Sequence, residues 1–159
     1  MKTSSNMDKQ HLLDTARKLK PAQEKTAREY QDKADELIAA INKRMLERPE
    51  IEDLVGADNL GMMKDNHANH VRFIASILKH YNPDVFVDTV LWVFRAYRNH
   101  GFTTNYWASQ LNTWMEILKE TLTPVSYEEV YPYYEWMQVN IPTFVKLTDE
   151  SIDGPDPGH

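Results

Sequence analysis

Between Met63 and Tyr81 the core-facing positions recur at helical spacing: Met63, His67, His70, Ile74, Ile77 and Tyr81 share one stripe, widened by Val71 and Leu78. Two histidines therefore occupy places where apolar side chains belong. Asn82, Pro83 and Asp84 then read as a helix start, because Asn can cap, proline is preorganised in the first turn, and an acid suits the positive end of the helix dipole. The helix this predicts carries Val85, Phe86, Val87, Val90, Leu91, Trp92, Val93, Phe94 and Tyr97 and is apolar on nearly every face. It is expected to be the most buried helix of the domain, with Phe86, Val90 and Val93 in the core. Arg98, Asn99 and His100 lead to Gly101, a left-handed stop with cations at the negative helix end.

Residues 1–48 are of a different kind, rich in Lys, Glu, Gln, Asp and Ala. Pro21 divides them into a short helix with a thin stripe (Leu12, Leu13, Ala16, Leu19) and a longer one with a better stripe (Ala27, Tyr30, Ala34, Leu37, Ile38, Ile41, Met45). Narrow stripes on charged helices suit packing on the domain core or on a partner. Pro49 ends the second helix, Glu50 to Gly56 reads as a short helical turn closed by glycine, and Asp58 or Asn59 is expected to cap the histidine-bearing helix. Beyond Gly101, the positions Trp107, Leu111, Trp114, Leu118 and Leu122 predict an amphipathic helix that stops at Pro124. Ser126 with Glu129 has the signature of a capping box for a last helix through Tyr127, Val130, Tyr131, Tyr134 and Met137, kinked or delayed by Pro132 and bent at Pro142. No strand pattern competes: VFVDTVLWVF is rich in β-branched and aromatic residues, but it opens with a helix start and runs too long for a typical strand. The expectation is an all-α multi-helix bundle of about six helices, with a globin-like arrangement as one candidate. Residues 49–148 form its core domain, flanked by the charged helices of 1–48 and a flexible acidic tail over 149–159.

Composition narrows the functional classes. A chain of 159 residues fits one domain, which buries roughly two thirds of its unfolded surface and needs no metal or disulfide to hold a core. There are no cysteines, which excludes thiolate chemistry. A net charge of −6 argues against general nucleic-acid binding, which needs a basic face. The opening MKTSSNMDKQ lacks the apolar run of a signal peptide. No later run approaches the roughly 20 apolar residues that cross a bilayer, so no membrane partner and a cytoplasmic location are expected.

Two constellations carry candidate chemistry. Asp65, His67 and His70 form D-x-H-x-x-H, whose imidazoles one helical turn apart could share a metal. The plainer alternative is two histidines hydrogen bonded inside the bundle. Trp92, Arg95 and Arg98 stand near Tyr106 and Trp107 across the turn at Gly101, and aromatic walls with arginines could hold a flat or anionic ligand. The competing reading is ordinary core with surface arginines. No nucleophile elbow, phosphate loop, Walker or zincin motif occurs, so catalysis is not expected.

From Pro49 to about Met137 the chain resembles a family of bacterial helical regulatory domains. The likeness lies in the DNHxxH start at Asp65 to His70, the apolar helix with Trp92, the stop at Gly101, the Leu/Trp helix and the proline-containing last helix. Such domains precede cobalamin-binding domains in bacterial sensors; a looser likeness is to the nonhaem globin-like sensor domains of stress-signalling complexes. In the former the lower histidine comes from an Asp-x-His-x-x-Gly motif in a following domain, and this sequence has no such motif. The resemblance implies a noncatalytic sensory or protein-interaction module in bacterial regulation, self-associating as a homodimer or meeting a regulatory protein. The alternative is a small-molecule or metal binding protein using His67, His70 and the aromatic pocket. No cofactor is expected apart from a metal or a cobalamin-related compound.

Overall fold

The computed structural model describes residues 4–153, with side chains over 6–149. Its elements are α1 (Ser4–Ala16), α2 (Glu24–Asp32), α3 (Ala34–Leu46), α4 (Ile51–Val55), α5 (Leu60–Lys79), α6 (Pro83–Asn99), α7 (Thr104–Thr121), α8 (Pro124–Val139) and α9 (Ile141–Asp153). The fold is all-α. The described residues thus form nine helices where about six were expected.

Three local causes account for the difference. The expected second helix is divided at Lys33 (φ −95°, ψ 9°), whose ammonium is drawn to the Thr121 carbonyl at 2.7 Å and to Glu29 at 3.1 Å. The turn after Pro49 is a helix in its own right, α4. The last segment divides at Asn140, and α9 begins with Pro142 in its first turn, where proline is preorganised rather than disruptive.

The expected capping box is corrected by the same logic. Pro124 starts α8 instead of merely ending α7, and Thr123 is the N-cap residue. Ser126 is buried inside the helix and donates to Glu29 Oε1 at 2.8 Å, while Glu129 accepts from the backbone N–H and side chain of Gln23 at 2.7 and 2.6 Å. Pro132 lies within a continuous α8. At α6 the reading from sequence matches: Asn82 Oδ1 accepts from the Val85 N–H, with Pro83 at the start. Gly56 and Gly101 have φ of 100° and 101°, so both helix stops use a backbone region that glycine enters freely. Asn59 does not cap α5 through its side chain; Nδ2 instead donates to the carbonyls of Val55 and His100, tying the two glycine turns together.

The core draws on every helix of the described residues. Leu12, Tyr30, Leu37, Ile41 and Met45 are fully buried in the same cluster as Met63, Val71, Trp114 and Phe144. Helices α2 and α3 pack on α5, α3 also on α7, and α1 on α6 and α9. Asp149, expected at the head of a loose tail, lies in α9, where it pairs with Arg98 at 2.6 Å; residues 154–159 lie outside the described residues. Nor is α6 the most buried helix. Phe86, Val87, Val90 and Phe94 are buried, but Val85 and Trp92 are 50% and 53% exposed and Val93 is half-buried. Helix α7 is buried along its length, from Tyr106 to Leu118. No helix among the described residues is long and apolar enough to cross a membrane.

Candidate ligand-binding site

Helix α6 packs on α1 and α9, and between it and the faces of α5 and α7 lies a cavity of about 250 Å³. Helix α5 lines it at one-turn spacing with Asn66, Asn69, His70 and Phe73; α7 does so with Trp107, Gln110 and Leu111; α6 supplies Thr89, Val90, Trp92, Val93, Phe94 and Tyr97; Met137 and Phe144 close the base. Trp92 and Asn69 are exposed and mark the mouth. Phe94 stacks on Trp107 with ring centroids 4.7 Å apart, so the aromatic wall is continuous across α6 and α7. No lining residue is an acid, a lysine or an arginine.

The polar side of the cavity is backed by two buried hydrogen-bond systems. In the first, His67 Nδ1 donates to Asn42 Oδ1 at 2.7 Å, and Nε2 lies 3.2 Å from the Tyr106 hydroxyl. That hydroxyl donates to Asn66 Oδ1 at 2.8 Å, and Gln110 Nε2 donates to both Asn66 Oδ1 and the Tyr106 oxygen at 2.8 Å. In the second, the Tyr30 and Tyr134 hydroxyls are 2.7 Å apart and Tyr134 lies 2.8 Å from His70 Nε2. Tyr30 is fully buried and has no other acceptor among the described residues, so an unused O–H there would cost about 1–3 kcal/mol. Tyr30 therefore donates to Tyr134, Tyr134 donates to Nε2, and the His70 proton sits on Nδ1. The His70 ring stacks on Trp114 at 5.1 Å.

Burial sets the charge of these groups. Desolvation pushes His67 down to about 3, with the neighbouring His70 adding to the shift, and desolvation alone brings His70 to about 3. Both rings are neutral at physiological pH. Burial also raises Tyr30, Tyr106 and Tyr134 above the usual tyrosine value. The cavity is thus an uncharged site with hydrogen-bonding groups on one side and aromatic rings on the others.

The structure sorts the residues expected from sequence into distinct places. His70, Trp92 and Trp107 line the cavity; His67 and Tyr106 stand behind it in the buried network. Arg98 turns away to Thr148 and Asp149 of α9, and Arg95 is not in the lining. Asp65 is exposed on α5, and it is not brought together with His67 and His70: among the described residues no three acids or histidines converge into a ligand set. Both histidine side chains already hold hydrogen bonds. Sequence reasoning missed Asn66 and Gln110, although Gln110 stands alone as a polar residue within the apolar stripe Trp107, Leu111, Trp114. No family model matches the chain, and no curated protein or solved structure is significantly similar to it.

Proposed function

We propose that this protein is a noncatalytic ligand-binding module that takes a small, flat, uncharged molecule between α5, α6 and α7. The observation that carries this reading is the cavity of about 250 Å³, walled by aromatic rings and free of charged side chains among the described residues. A cavity of about 150 Å³ accepts benzene, whereas drug-sized ligands occupy about 300–1,000 Å³, so a two-ring compound suits this one. A cobalamin-related macrocycle is larger than that, and the reading favoured is a smaller ligand. Absence of charge favours a neutral guest, because a carboxylate or phosphate would lose its hydration without gaining a counterion. The likeness of Pro49 to Met137 to bacterial sensory domains agrees with a role in signalling, the bound molecule being the signal.

Nuclear magnetic resonance of the labelled protein against a set of neutral one- and two-ring compounds tests the reading. Binding should shift the Trp107 indole N–H and the side-chain amides of Asn66 and Gln110 together. A set in which no compound moves those resonances overturns it.

Self-association is a second reading. Val85 and Trp92, 50% and 53% exposed, stand two helical turns apart on one face of α6 with Asp88 and Thr89 between them, and offer two apolar side chains to a second copy. Sedimentation equilibrium of wild type beside Trp92→Arg decides it: a dimer lost in the variant supports the patch, and a monomer at high concentration removes it.

A further inference from the structure

Asn66 and Gln110 are only 3% and 1% exposed, yet both line the cavity. One end of each amide is committed: Asn66 Oδ1 accepts from Tyr106 and from Gln110 Nε2, and that Nε2 also reaches the Tyr106 oxygen. The other ends, Asn66 Nδ2 and Gln110 Oε1, hold no hydrogen bond to another described residue, and they belong to the cavity lining. Two buried amides held against each other thus leave one donor and one acceptor to the cavity's contents. The pattern survives exchange of N and O in both amides, since the bridge between them persists and again one donor and one acceptor are left over. Beside them is His70, whose Nδ1–H also lacks a partner among the described residues. An amide end that faces the cavity gives up water when a ligand enters and must regain a hydrogen bond from it, so a site of this kind selects a ligand that supplies the complementary acceptor and donor.

We infer that the ligand is a neutral planar heterocycle with a lactam edge, an N–H beside a C=O, whose N–H donates to the free amide oxygen and whose carbonyl accepts from the free amide nitrogen and from His70, while its rings lie among Trp92, Phe94 and Trp107. This rests on the cavity being a binding site and adds the chemistry that the site reads.

Isothermal titration of the wild-type protein with quinolin-2-one, 1-methylquinolin-2-one and naphthalene tests it, because the three share a two-ring frame and differ at the edge. Quinolin-2-one should bind at least about tenfold more tightly than either of the others. In Gln110→Met, which keeps the side-chain length and removes the polar end, the three affinities should converge. Equal affinities in wild type overturn the lactam assignment and leave the cavity as a binding site. Binding of none of the three overturns both. The wild-type comparison decides the question even where the Gln110→Met chain does not fold.

Discussion

The hydroxyls of Tyr30 and Tyr134, from α2 and α8, lie 2.7 Å apart in the interior, and Tyr134 passes the contact on to His70 of α5. Three helices distant in sequence are thus joined by two hydrogen bonds whose direction is set at the buried end. Removing the middle group leaves two orphans, Tyr30 O–H and His70 Nε2; removing the end group leaves Tyr134 still donating to His70. Tyr134→Phe should therefore cost about 2–4 kcal/mol and Tyr30→Phe about 1 kcal/mol. Urea melts of the two variants check this, and a larger loss in Tyr30→Phe contradicts the direction given.

The two histidines give a pH dependence with a definite sign. Folded, each titrates at about 3, whereas in the unfolded chain the value is about 6.5. Between these limits the unfolded state binds more protons, so stability falls as pH is lowered and the histidines contribute no slope above about pH 7. The expected slope between about pH 4 and 6 approaches two protons, or about 2.7 kcal/mol per pH unit. Urea midpoints across that range read it, and the double variant His67→Gln, His70→Gln should lose it.

Glu29 holds the first turn of α8. Burial would raise its carboxyl, but the Thr123 backbone N–H, the Ser126 and Thr123 hydroxyls and Lys33 outweigh this and hold it at about 2. The first three contacts are each 2.8 Å long. Glu29→Gln keeps one acceptor and should cost about 1–2 kcal/mol at neutral pH. Because the depressed value makes the wild-type advantage fade as pH falls from about 4.5 towards 2, the melting temperatures of wild type and variant should draw together in acid. A constant gap would contradict the role assigned to the carboxylate.

Val93, half-buried on the cavity wall, has room beside it. Val93→Leu adds one methylene and should raise stability by up to about 0.8 kcal/mol while weakening quinolin-2-one binding. Denaturation and calorimetry on the same sample detect opposite movements; a loss of stability would mean that the space beside Val93 is already filled.

What was legible in the sequence was local. Asn82 with Pro83 and the glycines at 56 and 101 state their roles within three or four residues, and the structure uses them as written. The division at Lys33 was not legible, since it depends on the Thr121 carbonyl at the far end of α7. Pro124 was ambiguous, because one proline ends the preceding helix and begins the next. At the site, the aromatic half was visible in the stripes of α6 and α7, with His70 on that of α5. The amide half was hidden because Asn66 of α5 and Gln110 of α7 find each other only across two helices far apart in sequence. The partners of Arg98 were hidden for the same reason: its acceptors on α9 lie far along the chain.

Of the four tryptophans, Trp107, Trp114 and Trp136 are at most 6% exposed, whereas Trp92 is 53% exposed at the cavity mouth. Their light emission therefore separates by depth. The red-shifted, quencher-accessible part of the intrinsic fluorescence is expected to come from Trp92, with acrylamide dimming that part first. A molecule that settled in the cavity would touch both the exposed Trp92 and the buried Trp107, whereas Trp114 and Trp136 lie outside the lining, so emission from the unlabelled protein would register occupancy at two depths.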